Sequence, residues 1–310
     1  MHAKNTRGRR GTFCARKPTP GPALVTRALA RITPALALIM VAATLGVAAP
    51  AQADSGTQVA APVRVAATTA TNSLATKSIV VSCAAGRRVY GAGGEITGGG
   101  GNVTLDDITP NVALTNVLVT AAENGAYAGN WSVTGYAICG VNTLNLQRIQ
   151  FTSATNSLSP KSVFAGCPSG LRLYGLGAEL NGAGGNVFFD DLTPNAGLTG
   201  ATATGYENGA FAGNWNITGY AICGNPPATL VRRAAVSTVG SPAANTATTP
   251  ACPAGTRVHG VGAELNGAFG SVVIDDLRPN AGLLTSTATG AENVAYAGNW
   301  SITSYAICSS

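Results

Sequence analysis

The chain has 310 residues, 40 of them glycine, and its 19 basic and 13 acidic residues give a formal net charge of +6. Eight of the basic residues and none of the acidic ones lie within residues 1–31, so the rest of the chain carries a small net negative charge. Nucleic-acid binding requires a basic surface that neutralises phosphates, and no nucleic-acid partner is therefore expected.

The N-terminal segment has the pattern of a secretory signal peptide. Its basic region is followed by an apolar run over 32–49 and by Ala51-Gln52-Ala53, which is a small-x-small cleavage site. We expect residues 1–53 to be removed on export and 54–62 to form a short leader, with no membrane span after cleavage. A later start codon is an open alternative, because the basic region is unusually long.

The remainder of the chain consists of three tandem repeats, at 63–146, 147–230 and 231–310. Each repeat contains two cysteines 56 residues apart, and the second closes a phrase of the type Gly-Asn-Trp-Ser-Val-Thr-Gly-Tyr-Ala-Ile-Cys. Six cysteines in equal pairs are typical of a protein secreted to the extracellular space. Of the fifteen formal pairings, the repeat selects one: Cys83–Cys139, Cys167–Cys223 and Cys252–Cys308.

The first repeat illustrates the predicted elements. After a Thr/Ser/Ala-rich lead-in, short alternating runs bounded by Gly, Asn and Pro predict strands, and no stretch has helical spacing over ten residues. We therefore expect an all-β fold of three tandem, disulfide-stapled antiparallel β-sandwich or barrel repeats packed on one another. The strands are expected at 78–83, 87–96, 102–107, 114–122 and 131–139.

The last predicted strand indicates which residues face the interior. Side chains alternate between the two faces of a strand, so Trp131 shares a face with Cys139, which must be inside the repeat. The opposite face becomes apolar toward Tyr136 and Ile138, and a strand that is apolar on both faces is usually covered on both. This pattern favours repeats that pack together, and we hypothesise that they close around a pseudo-threefold axis.

Twelve of the 13 acidic residues occupy four positions that recur in every repeat, and Asp54 is the exception. They are Glu95, Glu179 and Glu264; Asp106, Asp190 and Asp275; Asp107, Asp191 and Asp276; and Glu123, Glu207 and Glu292. A glycosidase needs two carboxyl groups near one another. Adjacent aspartates of a strand point to opposite faces and cannot be that couple, although Glu95 with one of them could be. Three near-identical active sites in one chain would be unusual. No catalytic residues are therefore expected.

Serine-histidine-aspartate chemistry is also disfavoured. His259 stands where the other repeats have Tyr90 and Tyr174, so the histidine is not a recurring feature, and we expect its ring to lie on the surface. We therefore expect that the protein is not an enzyme. A glycoside hydrolase-like activity ranks third, after surface binding and a structural role.

Calcium is a candidate cofactor, because hard cations bind several oxygen atoms. Glu95, Asp106 and Asp107, together with Asn111, could converge around the glycine-rich hairpin as metal ligands. The favoured alternative is that the aspartate pair caps the turn and that the glutamate pairs with Arg88 or its equivalents. No other cofactor is expected.

The loop from Glu123 to Trp131 is the best candidate for ligand binding. Amides and a carboxylate beside an aromatic ring are groups that hold a sugar through hydrogen bonds and stacking. The tryptophan itself is expected in the core against the disulfide. The candidate binding residues in the three loops are Glu123, Asn124, Tyr127 and Asn130; Glu207, Asn208, Phe211 and Asn214; and Glu292, Asn293, Tyr296 and Asn299.

Two resemblances follow from these phrases. The pattern Cys-Pro-x-Gly-x-Arg-Val-x-Gly-x-Gly, closed by Trp-x-x-x-x-Tyr-Ala-Ile-Cys, covers 63–310 and resembles the repeats of secreted actinobacterial proteins, with a departure at Ala84. That resemblance implies secretion and no particular activity. The ten residues of the closing phrase are also similar to the last strand of H-type lectins, which are trimeric β-sandwiches that bind sugars.

Taken together, these patterns predict a secreted, extracellular, non-catalytic repeat protein. Its expected partner is a polymeric surface such as a glycan or cell-wall polymer, because three weak sites on one chain gain avidity. The alternative is a purely structural role in an envelope or matrix.

Overall fold

The computed structural model describes residues 61–310, which belong to one compact unit. The expected signal peptide at 1–53 and most of the leader at 54–62 lie outside these residues. The described residues form 18 β-strands and no helix, so none of them provides a helix that could cross a membrane. The all-β prediction is confirmed.

Each repeat contributes six strands. The first contains β1 (Val63–Thr68), β2 (Thr76–Ser82), β3 (Arg87–Thr97), β4 (Val103–Pro110), β5 (Asn116–Glu123) and β6 (Ser132–Val141). The second contains β7 (Gln147–Thr152), β8 (Lys161–Gly166), β9 (Arg172–Asn181), β10 (Val187–Pro194), β11 (Gly200–Glu207) and β12 (Asn216–Gly224). The third contains β13 (Leu230–Val236), β14 (Ala244–Thr248), β15 (Arg257–Asn266), β16 (Val272–Pro279), β17 (Ser286–Glu292) and β18 (Ser301–Ser309). The Thr/Ser/Ala-rich lead-ins are therefore strands as well.

Within a repeat, two three-stranded layers pack face to face. In the first repeat the layers are β1-β6-β3 and β2-β5-β4, and β6 packs on β2 and β5. Cys83, which follows β2, is bonded to Cys139 on β6, so the disulfide joins the two layers. The other two disulfides have the same place and the same Cα–Cα distance of 5.6 Å. All three predicted pairings are confirmed.

Every layer continues into a neighbouring repeat, which produces three six-stranded sheets. Strand β3 of the first repeat pairs with β16 of the third, β15 of the third pairs with β10 of the second, and β9 of the second pairs with β4 of the first. This cyclic pairing closes the three repeats around a pseudo-threefold axis, as hypothesised. Each of these junctions is only two residue pairs long, for example Asp276 opposite Glu95 and Leu277 opposite Gly94.

Strand β6 is buried on both faces, as its pattern predicted. Trp131 just before it is fully buried, and Val133, Ala137 and Cys139 face the sandwich interior with it. On the opposite face Tyr136 and Ile138 are buried as well. The repeats therefore could not separate without exposing a second apolar surface, which is why they form one unit.

The three central strands β3, β9 and β15 approach one another closely at the axis. A Cβ atom on Gly91 would lie 2.1 Å from the carbonyl oxygen of His259, and Gly175 and Gly260 meet the next repeat in the same way. Glycine is required at this point because no side chain fits. The ring of His259 packs here against Tyr90 and is only 5% exposed. The expectation that this histidine lies on the surface is therefore wrong.

Candidate binding site

The three predicted binding loops follow β5, β11 and β17. In the first loop, the indole Nε1 of Trp131 donates to Oε1 of Glu123 at 3.0 Å, and the backbone N–H of Tyr127 donates to Oε2 at 3.3 Å. Glu207 and Glu292 accept the equivalent hydrogen bonds in the other loops. The glutamate carboxylates therefore hold the loops in shape, which leaves little of them for a ligand.

The aromatic rings of the loops are half-buried. The hydroxyl of Tyr127 donates to the carbonyl oxygen of Gly98 at 2.6 Å, and Tyr296 makes the same bond to Gly267 at 2.8 Å. Each ring lies over a loop glycine, since a Cβ atom on Gly129 would come within 2.3 Å of the Tyr127 ring. Phe211 occupies the same place without a hydroxyl. The rings are thus fixed by their backbone contacts while part of each stays exposed.

Three asparagines join the loops at one end of the pseudo-threefold axis. The side-chain amide of Asn208 donates to Oδ1 of Asn124 at 3.0 Å, and the amide of Asn124 donates to Oδ1 of Asn293. Neighbouring hairpins add to this contact, because a Cβ atom on Gly101 would clash with the carbonyl oxygen of Glu292. The three asparagines therefore fix the loops relative to one another.

The side chains of the remaining predicted binding residues are exposed. Asn130, Asn214 and Asn299 are exposed in the three loops, and within the described residues their side chains make no hydrogen bond. Each follows the glycine on which the loop's aromatic ring lies. An exposed amide beside a partly exposed ring is therefore repeated three times around one end of the molecule.

A lysine completes the packing around the buried tryptophan in two of the repeats. Nζ of Lys77 donates to the carbonyl oxygen of Asn72 at 2.7 Å and to that of Trp131, and it lies 4.2 Å from the centroid of the Trp131 ring. Lys161 does the same in the second repeat, whereas the third has Asn245 at this position. This role was not among the predictions, although the recurrence of the lysine in two repeats was a signal for it in the sequence.

The predicted calcium ligands are not brought together. Glu95 lies opposite Asp276 of the third repeat, whereas Asp107 lies opposite Glu179 of the second, so the carboxyl groups of one repeat go to different junctions. Among the described residues no three acidic, histidine or cysteine side chains are grouped as a metal site. A calcium site built from Glu95, Asp106 and Asp107 is therefore not what these strands form.

Glu95 is paired across the junction instead. It accepts hydrogen bonds from the hydroxyl of Tyr136 and, at 2.8 Å, from the guanidinium of Arg278 in the third repeat. The pairing with Arg88 expected from the sequence is wrong, because Arg88 donates to a backbone carbonyl. Glu179 and Glu264 also accept from a tyrosine, but the residues equivalent to Arg278 are threonines.

Burial raises the pKa of the aspartates at the junctions. Asp106 is the extra residue of a β-bulge, and its burial, followed by the charges of Asp107 and Glu179, raises its pKa to about 7. The same causes raise the pKa of Asp190 to about 8 and that of Asp275 to about 7. These groups therefore hold a proton close to neutral pH, which removes a negative charge from each junction.

The sequence matches no protein-family model and no curated protein. The three disulfides are of the kind that forms and persists in an oxidising compartment.

Proposed function

We propose that the protein is secreted and binds an extracellular polymeric surface, a glycan or cell-wall polymer, through its three loops at once. The observation that carries this proposal is the asparagine contact at the axis, which holds three copies of one loop at the same end of the molecule. A repetitive polymer offers many identical sites to such an arrangement.

The chemistry of each loop supports a carbohydrate ligand. The ring of Tyr127 is held in place at its hydroxyl, so stacking a sugar on its exposed part costs little side-chain entropy. The exposed amide of Asn130 supplies both a donor and an acceptor for sugar hydroxyls. The short likeness of the closing phrase to sugar-binding H-type lectins points the same way.

Each site is small, and its affinity alone would be weak. Three sites on one rigid body raise the effective concentration of the second and third contacts, which increases avidity without any new interaction. Because the repeats share their sheets, the spacing of the loops is fixed by the fold and not by a flexible linker.

The alternative is a structural role in an envelope or matrix. One observation favours it. The glutamates accept hydrogen bonds within their own loops, and the axial asparagines hydrogen-bond to one another. On this alternative the recurring loop residues serve only to close the fold.

Co-sedimentation with insoluble chitin, cellulose and peptidoglycan separates the two. The wild-type chain from residue 54 is compared with the triple variant N130A/N214A/N299A and with the control N142A/Q147A. The control removes exposed amides that lie outside the three loops. Binding predicts retention of wild type and control on at least one polymer and loss of the triple variant. Lack of wild-type retention on all three polymers, or full retention of the triple variant, contradicts the proposal.

A further inference from the structure

The threefold symmetry is broken at the end of the axis that lies away from the binding loops. The hydroxyls of Tyr90 and Tyr174 each donate at 2.6 Å to a backbone carbonyl 51 residues later, those of Val141 and Asn225. In the third repeat the corresponding residues are His259 and Ser310, and the imidazole makes a different contact. Because strands rise about 3.3 Å per residue, this end is about 25 Å from the hairpins at the binding loops.

A second position has changed together with the tyrosine. The ring of Tyr90 lies against Gly140, where a Cβ atom would come within 2.2 Å of a ring carbon. Tyr174 lies near Gly224, where a Cβ atom would be 3.2 Å from a ring carbon and 2.7 Å from the side chain of Leu146. The third repeat has Ser309 at this position. A tyrosine at 259 would meet the Cβ atom of Ser309, so the two differences in the third repeat are physically coupled.

His259 and Ser309 line a cavity of about 430 Å³ between the first and third repeats. Its walls include Tyr90 and Leu144 from the first repeat and Arg257, His259 and Ser309 from the third. The volume falls in the range of pockets that bind small molecules. The cavity is partly apolar, with an exposed guanidinium as its one cation among the described lining residues.

The imidazole of His259 presents a hydrogen-bond acceptor at this place. Its Nδ1 lies 3.0 Å from the carbonyl oxygen of Arg257, and a carbonyl can only accept, so Nδ1 carries the proton. Nε2 then has a lone pair, and no donor from residues 61–310 lies at it. Burial lowers the pKa of His259 to about 4, so the ring is neutral at physiological pH and Nε2 stays an acceptor.

We propose that this cavity binds a small phenolic acid. The aromatic ring lies in the cavity beyond the imidazole, against Tyr90 and Leu144. The phenol hydroxyl donates to Nε2 of His259, and the carboxylate pairs with the guanidinium of Arg257. The proposal is independent of polymer binding, because it uses other residues at another end of the molecule.

Isothermal titration calorimetry of the wild-type chain from residue 54 with 4-hydroxybenzoate tests this. Wild type is expected to bind, and benzoate, which lacks the hydroxyl, to bind roughly tenfold more weakly. The variant H259Y/S309G restores the tyrosine-glycine pair of the other repeats, which removes the Nε2 acceptor and places a ring edge and hydroxyl where the ligand hydroxyl would bind, and it is expected to bind at least roughly tenfold more weakly. Absence of wild-type binding up to the solubility limit, or equal affinity in H259Y/S309G, would overturn the proposal.

A second variant keeps the test decisive if the restored tyrosine disturbs the fold. H259L keeps the cavity but removes the acceptor, so it should bind 4-hydroxybenzoate and benzoate equally. A persisting preference for 4-hydroxybenzoate in H259L would overturn the assignment of Nε2 as the acceptor. Thermal denaturation of each variant confirms that the chain is folded.

Discussion

The interior of a repeat and the junction between two repeats are held together by different interactions. The interior contains a disulfide, a fully buried tryptophan and two apolar layers facing each other. The junction is a strand pairing of only two residues, surrounded by three carboxyl groups and a tyrosine hydroxyl. Burial of apolar surface stabilises the interior, and also the contact between repeats, at any pH. The contribution of the junction carboxyl groups, in contrast, depends on whether they are protonated.

This difference implies that the repeats and their closure respond to different conditions. The disulfide and core keep each sandwich folded, and the junction acids set how firmly the three sandwiches close around the axis. The junctions also differ from one another, because only Glu95 among the three equivalent glutamates is paired with an arginine, Arg278. The residues equivalent to Arg278 at the other two junctions are Thr109 and Thr193. Their buried hydroxyls make no hydrogen bond within the described residues.

The largest expected effect comes from breaking the interior. Replacing both cysteines of one repeat, C83A/C139A, should lower the free energy of unfolding by about 4 kcal/mol, because a closed loop of this length restricts the unfolded chain strongly. Guanidinium denaturation measures the loss, and C252A/C308A should lose a similar amount because its bridge has the same place. A loss below about 1 kcal/mol in both variants would show that the cores do not depend on the disulfides.

A comparable effect, which depends on pH, is expected from the protons at a junction. The folded chain keeps Asp106 protonated up to about pH 7, whereas the unfolded chain releases this proton near the ordinary pKa of 3.8. Its stabilising contribution is therefore complete below about pH 4, decreases as the pH rises, and is lost once the pH has passed about 7. At about pH 8 D106N, which stays neutral, should be more stable than wild type by up to about 4 kcal/mol, and near pH 4 the two should be equal.

Thermal denaturation between about pH 4 and pH 8 checks this prediction. The interior variant C83A/C139A serves as a control, since its loss of stability should be the same at every pH. A D106N variant whose stability relative to wild type does not change with pH would contradict the assignment of a retained proton to Asp106.

The smallest effect concerns the difference between junctions. R278T gives the junction at Glu95 the threonine of the other two, and it should lower the free energy of unfolding by about 1 kcal/mol at neutral pH, because the ion pair is partly exposed. The reciprocal variant T109R should stabilise the junction at Glu179 by a similar amount. Denaturation in high salt should reduce both effects, and salt-independent effects would argue against an ion-pair origin.

Local patterns predicted the strands and the disulfides of this molecule. Alternation along β6 correctly placed Trp131 and Cys139 on the same interior face, because strand parity is a property of neighbouring residues. The expected contact of the tryptophan with the disulfide is wrong, because eight residues of extended strand place the two about 26 Å apart. The constant cysteine spacing gave the pairing, since equivalent positions of a repeat occupy equivalent places. The lead-in strand β1 was not foreseen, because its Thr/Ser/Ala composition resembles a loop.

Contacts between repeats could not be derived in the same way. Glu95 meets Arg278, 183 residues away, and Asp107 meets Glu179 through a pairing of two residues, which leaves no periodic signal in either strand. The hydrogen bonds that Glu123 and Asn124 make within and between the loops could not be foreseen for a related reason. The sequence of a loop does not distinguish a carboxylate or amide that faces a ligand from one that faces another part of the protein. The burial of His259 could not be derived either, because it results from packing at the axis against Tyr90 and Tyr174 of the other two repeats.

Binding through the three loops is tested most directly by the rate at which the protein dissociates from an immobilised polymer that retains the wild type. The rate is measured with three, two, one and no intact loops. The series is wild type, N130A, N130A/N214A and N130A/N214A/N299A, with N142A/Q147A as the control. Simultaneous binding predicts that the dissociation rate rises at each step by a similar factor, and that the control dissociates like wild type. An unchanged rate across the series would contradict binding through the three loops.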